Sequence, residues 1–161
     1  RVLFRSYLTK LRSSIDGLKK NYGLKFIIID CPPTLGLLSM NSLCAADHLI
    51  VTLQSEYLAL EGLEQITGVV SQLKKAGANP TLTLGGIVLT MYDNRTKLSF
   101  EVWQEVNKHY KNKVFRTAIP RSVRLSEAPS FGKTIFEYDS NSLGARAYSS
   151  LTKEVLDRFS G

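Results

Sequence analysis

The sequence predicts an α/β fold, a layered parallel sheet flanked by helices, incomplete at its N-terminus. Three observations predict it. Strand-like runs and helical stripes alternate along the chain with short links between them. The strand-like runs are continuously apolar rather than alternating, which is the mark of strands covered on both faces. No linker, low-complexity tract or internal repeat interrupts the 161 residues, so 1–161 reads as a single domain.

The elements follow in order. Leu8, Leu11, Ile15 and Leu18 recur at helical spacing among Lys and Arg, predicting a helix over 7–20 that Tyr22-Gly23 ends. Phe26-Ile27-Ile28-Ile29 is a continuous β-branched and aromatic run, predicting a buried strand. Asp30 closes that run, and Pro32-Pro33 forbids either helix or further ladder. A helix over 36–46 precedes a second buried strand at 48–53. Leu60, Leu63, Ile66, Val69, Val70 and Leu73 form one stripe of a helix over 58–76, with Lys74-Lys75 at its C-terminal end and Gly77 as its stop. A third strand is expected from Gly85 to Met91. Leu98, Val102, Val106 and Tyr110 mark an amphipathic helix over 97–110. A short strand near 113–117 follows, then a loop rich in Pro, Arg and Ser at 120–130. Leu143, Ala147, Leu151, Val155 and Phe159 predict a last helix over 142–159.

Composition narrows the function classes. The hydrophobic share of 43% and charged share of 22% are those of a folded domain rather than a disordered chain. No apolar run approaches the roughly 20 residues that cross a bilayer, and no leader with a cleavage site is visible. Cys31 and Cys44 form no CxxC pair, which argues against a disulfide framework and for a reducing, cytoplasmic setting. His48 and His109 are too far apart in sequence to suggest a zinc site.

The net charge of +7 is unevenly distributed. It is +5 over 1–30, −2 over 31–89, +5 over 90–133 and −1 over 134–161. Such basic blocks fit a polyanion such as phosphate or nucleic acid, and equally fit a solvated basic face. The chain opens on Arg1 and directly on a helix. It is therefore expected to be the back part of a longer protein, and residues 1–6 (RVLFRS) are expected to be non-native, being what a common sequencing-adapter end encodes.

In an open parallel sheet, ligands bind beyond the carboxyl ends of the strands. That rule points to Asp30-Cys31-Pro32-Pro33, to Gln54-Ser55-Glu56 and to Thr90-Met91-Tyr92-Asp93. Four apolar residues ending in Asp form the pattern of a Walker B strand, whose carboxylate orients a hydrated Mg²⁺. The same residue could simply cap the turn that follows it.

The blocks IIIDCPPTLGLLSMNSLCAADHLIV, QSEYLALEGL, LTMYDNRTKLS and IPRSVRLSEAPSFGKTI, in that order and spacing, resemble the ParA/Soj chromosome- and plasmid-partitioning ATPases over essentially all of 7–160. The resemblance implies a P-loop NTPase-like fold of the ParA/MinD type. It implies an enzyme that binds ATP and Mg²⁺, dimerises on ATP, binds DNA nonspecifically and is stimulated by a ParB-type partner. It assigns Asp30 to the water-mediated Mg²⁺ contact and Cys31 to Leu38, with Pro32 and Pro33, to the switch segment beside the nucleotide. Met91, Pro120, Arg121 and Val123 match the loop bordering the base. Gln54, Glu56 and Glu61 match a surface near the dimer interface, and Arg95, Arg121 and Arg124 match positions that hold DNA. Cytoplasmic, nucleoid-associated localisation without a membrane follows from the same resemblance.

The departure from the family is equally clear. No G-x-x-x-x-G-K-[ST] or KGG-type phosphate loop occurs in the chain, and Gly132-Lys133-Thr134 lacks the upstream glycines and strand. The catalytic Walker A lysine and switch I aspartate of the family are absent, so this chain alone is expected to be inactive. The alternatives are a MinD-like positioning ATPase and a non-enzymatic remnant that binds DNA or a partner. The short tail of mixed charge, LTKEVLDRFSG, argues against the membrane helix of the former.

Overall fold

A strand forms where a neighbour completes its ladder, and among the described residues one strand is met on both edges. In the computed structural model, which describes residue 8, residues 10–32 and residues 34–160, strand β1 (His48–Gln54) pairs with strand β2 (Thr83–Thr90). The other edge of β2 is met by 113–121 through parallel bridges at Ile87–Val114 and Tyr92–Pro120. β2 is buried along most of its length, as its unbroken apolar run predicts. β1 alternates between exposed and covered positions, so it is an edge strand with one wet face rather than a strand covered on both sides. The stretch 113–117 forms a single bridge residue instead of a strand.

Five helices sit close to their expected places: α1 (Lys10–Tyr22), α2 (Leu37–Ala45), α3 (Ala59–Lys75), α4 (Lys97–Tyr110) and, after two short helices, α7 (Leu143–Phe159). The expected loop at 120–130 instead holds α5 (Val123–Glu127) and a 3₁₀ turn (Ala128–Phe131). Helix α6 (Ile135–Asp139) follows, opened by a capping box between Thr134 and Glu137. Gly132 is the left-handed cap of the 3₁₀ turn and Thr134 the N-cap of α6, so Gly-Lys-Thr here is a turn and not a phosphate loop.

The expected buried strand at 26–29 is not formed. Residues 26–30 carry no strand assignment, Ile28 is 93% exposed and Phe26 is 40% exposed. The physical reason is that no strand among the described residues pairs with this segment, so its apolar side chains are left uncovered.

Two compact units are built from these elements. The first comprises the described residues up to Leu49 together with Gln65–Gly85. Its core is Leu43, Cys44, Val70, Leu73 and Leu82, with Met40, Leu49 and Ile66 packed against it. Helix α3 ends there on Gly77 at φ 66, where the Ala78 N–H donates to Leu73 and the Gly77 N–H to Lys74. The fully buried Asn79 ties the unit together. Its amide donates to the Leu43 and Ala46 carbonyls at 2.8 Å each, and its oxygen accepts from the Leu82 N–H and the Thr81 hydroxyl. Cys44 lies in this core, where burial raises its thiol pKa, whereas Cys31 is exposed.

The second unit comprises Ile50–Glu64 and the described residues from Gly86 onward. Val88, Phe115 and Ile119 form one cluster under Leu151, Val155 and Phe159 of α7. Ala128, Ile135 and Ala145 form a second, which holds the short helices in place. No helix among the described residues is long and apolar enough to cross a membrane.

Candidate functional site

The end of β2 in the second unit brings together Met91, Pro120 and Arg121, with Arg95 close by. Met91 leaves the strand at φ 53, a left-handed conformation that a non-glycine residue adopts only under constraint from its surroundings. The turn this makes brings Tyr92 beside Pro120. The Tyr92 N–H donates to the Ile119 carbonyl at 3.0 Å, and the Arg121 N–H donates to the Tyr92 carbonyl at 3.0 Å. Met91, Pro120 and Arg121 are therefore held at one sheet end by backbone hydrogen bonds. Val123 opens α5 two residues later and is 72% exposed.

The next four residues form a rigid hydrogen-bonded turn. Asp93 accepts the Arg95 backbone N–H at 3.0 Å and takes the Arg95 guanidinium in bidentate fashion, at 2.9 Å from Nε and 2.7 Å from Nη2. These bonds from Arg95, reinforced by the charge of Arg121, hold the Asp93 carboxyl down at about 2. Thr96 caps α4 by accepting from the Ser99 N–H. Arg95 thus stands at the surface in a fixed pose, with Arg121 close enough for Asp93 to feel both cations.

Arg124 belongs to a separate cluster. Its guanidinium lies 3.3 Å from Glu127 and 3.7 Å from Asp139, over the Tyr138 ring at 5.9 Å, while the Tyr138 hydroxyl donates to Glu127. Arg121 is exposed, and among the described residues no carboxylate lies within 4.0 Å of its guanidinium.

The residues matched to the dimer surface lie along the end of β1 and the start of α3. Gln54, Glu56 and Glu61 are all exposed, and the Glu56 N–H donates to the Gln54 carbonyl at 2.8 Å. Beside them α3 and α4 enclose a groove of about 580 Å³. Its apolar floor is Leu63, Val102 and Val106, and its walls carry Glu61, Glu64, Glu101 and Glu105. The His109 imidazole donates to the Glu105 carboxylate at 2.8 Å, and Lys97 meets Glu101 at 3.1 Å. Sequence reading found Glu61 but missed the other three acids, whose i, i+3 and i, i+4 spacing on two helices was the available signal.

Asp30 and Pro32 lie in the first unit, both exposed, and Pro33 lies outside the described residues. The Ser39 hydroxyl of α2 donates to the Thr34 carbonyl at 2.5 Å and lies 3.3 Å from the Pro32 carbonyl. Among the described residues no group of three or more His, Cys, Asp or Glu side chains could hold a metal ion. A single exposed carboxylate fits a Mg²⁺ that keeps most of its water and does not make a dehydrated metal centre.

Comparison with known proteins adds an independent line. A family model described as an AAA domain matches residues 3–84. The sporulation initiation inhibitor protein Soj of Bacillus subtilis is 49% identical over 91% of this chain and 56% of its own length. The chain therefore spans little more than half the length of such relatives. Among solved structures, cobyrinic acid a,c-diamide synthase of Mycobacterium smegmatis with bound ADP and magnesium superposes with a TM-score of 0.76 at 32% identity, over 96% of this chain and 55% of that one. The cell division ATPase MinD of Pyrococcus furiosus superposes at 0.72 and 27% identity, over 93% of this chain and 58% of that one.

Proposed function

The chain belongs to the ParA/Soj family, and we propose on that premise that it is the C-terminal part of an ATPase that partitions chromosomes or plasmids. The observation that carries the reading is the 49% identity to Soj, sustained over 91% of the chain. The parallel sheet edge, with Met91, Pro120 and Arg121 held together by Tyr92, is what gives that identity a chemical meaning.

In this reading Met91, Pro120, Arg121 and Val123 border the adenine ring of ATP. Asp30 holds Mg²⁺ through water, and the ion, when bound, neutralises phosphate charge. Pro32 and Pro33 give the segment after Asp30 an extended exit toward the nucleotide. Gln54, Glu56 and Glu61 contribute to a homodimer that forms on ATP. Arg95, Arg121 and Arg124 meet DNA phosphates, where fixed cations give affinity without base reading. The acidic groove between α3 and α4 is suited by charge to a basic segment of a ParB-type partner. The working location is the cytoplasm, on the nucleoid.

The test is Mg²⁺-dependent ATP turnover by the longer protein that contains this chain, with and without Asp30→Ala. Turnover is expected to fall at least tenfold in the variant. Turnover unaffected by the change would reduce Asp30 to a turn cap. The 161-residue chain by itself, which holds no glycine–lysine loop, is expected to show no turnover above background.

A further inference from the structure

The segment that carries Pro120 and Arg121 does not run beside β2 in regular register. Its two bridges to the strand are Ile87–Val114 and Tyr92–Pro120. Between them the β2 chain advances five residues and its partner advances six. That net excess of one is made of two residues bulged out of the partner and one, at the Met91 end, out of β2; a bulge leaves backbone N–H groups without ladder acceptors. The regular contacts bracket the defect. The Phe115 N–H donates to Ile87 at 2.9 Å before it and the Ile119 N–H donates to Leu89 at 2.8 Å after it, so the partner advances four residues while β2 advances two.

The displaced groups are taken by one side chain. Glu154, on α7, accepts the Arg116 N–H at 2.8 Å on one carboxylate oxygen and the Thr117 N–H at 2.8 Å on the other. That second oxygen also accepts the Thr117 hydroxyl. One turn further along α7, Arg158 donates to the Lys113 carbonyl at 3.2 Å and lies 4.0 Å above the Phe115 ring. Burial pushes the Glu154 carboxyl up, but the bonds from Thr117 and Arg116 outweigh it and hold the group ionised below the usual range. An acceptor with both oxygens used is matched to a bulge, because a regular ladder would present it with fewer free donors.

We propose that Glu154 is a positioning residue: it pins the bulge at Arg116-Thr117 and thereby fixes the register in which Pro120 and Arg121 reach the end of β2. The inference rests on the reading of that loop as the border of the nucleotide base. Closing a two-residue bulge keeps each side chain on its face but moves the whole segment two places along β2. Losing the clamp would let the segment relax toward the regular ladder and carry Arg121 two residues, about 6–7 Å, along the strand direction from its place beside Tyr92. No local sequence signal marks Glu154, since its partners lie 37 and 38 residues away.

The experiment has two arms. Amide hydrogen exchange on this chain compares wild type with Glu154→Ala and with Glu154→Gln, which keeps one acceptor oxygen. Faster exchange is expected at Arg116 and Thr117. It is also expected, by at least tenfold, at Tyr92 and Arg121, with Glu154→Gln intermediate. Loss of protection confined to Arg116 and Thr117 would overturn the positioning role and leave a merely local contact. The second arm measures ATP and GTP turnover in the longer protein. Glu154→Ala is expected to raise KM for ATP about tenfold or more, to leave kcat close to wild type, and to narrow the preference for ATP over GTP. If Arg121→Ala shifts KM and base preference while Glu154→Ala shifts neither, the positioning role alone fails. If neither variant shifts them, the reading of the loop fails and takes this inference with it. Should Glu154→Ala not fold, Glu154→Gln and Thr117→Val carry both arms with the same criteria.

Discussion

Asn79 shows how much one polar residue can organise. It is fully buried, yet all of its hydrogen-bonding capacity faces backbone groups or Thr81, which join the end of α2 to the turn before β2. Asn79→Ala would leave two buried carbonyls and the Leu82 N–H without their partner. A loss of about 2–4 kcal/mol is expected, read as a lower urea midpoint with an unchanged slope. Asp93 is the opposite case, a surface carboxylate held ionised by its own neighbour Arg95. Its pair with Arg95 is exposed on the arginine side, so it contributes little to the stability of the fold and can be exchanged. Arg95, Arg121 and Arg124 were all visible in the sequence as cations near a strand end. Their ion-pair partners were less so, because Asp139 is fifteen positions from Arg124 and meets it only after α5 and α6 have folded.

At the scale of elements, β2 repays close attention. Gly86 lies in the strand interior, where a glycine usually costs stability, and the reason for it is contact. A Cβ on Gly86 would lie 2.2 Å from the Phe115 ring and 2.7 Å from the Arg158 guanidinium. Phe115 is buried and sandwiched by Arg158, so the ring cannot swing aside freely. Gly86→Ala is expected to cost about 1–3 kcal/mol, seen as a lower melting temperature by circular dichroism. This also explains what was legible. Helices α3, α4 and α7 were readable within two residues because an apolar stripe at helical spacing is a local property. The short helices α5 and α6 were not, because five residues do not nucleate a helix on their own and these are held by Ala128, Ile135 and Ala145. The Thr134-x-x-Glu137 capping box was the one sequence sign of α6. Residues 26–29 read as a strand because composition reports what a segment suits, whereas a ladder depends on partners that composition does not report.

For the whole molecule, charge placement makes the sharpest statement. The block 90–133 is strongly basic, and two of its arginines already sit on carboxylates. Such exposed pairs are screened by solvent and contribute little, so each guanidinium can exchange its carboxylate for a phosphate at little cost. Duplex DNA binding by the longer protein should therefore weaken as salt rises. Replacing Arg95 and Arg124 together by Ala should make the plot of log affinity against log salt shallower by about 2, with no dependence on DNA sequence, measured by fluorescence anisotropy. An unchanged slope would remove these two residues from the interface. The basic block was legible from counting charges; which of its cations stand free and which are already paired was set by the fold.

The contrast between the two cysteines has a practical side. Cys44 is shut in a hydrophobic cluster with its thiol held protonated, while Cys31 stands open beside Asp30. A maleimide dye should therefore attach at one place in the folded chain, next door to the carboxylate assigned to magnesium. Brightness or colour from that single tag becomes an optical gauge of what Asp30 encounters, readable in a cuvette without a catalytic assay.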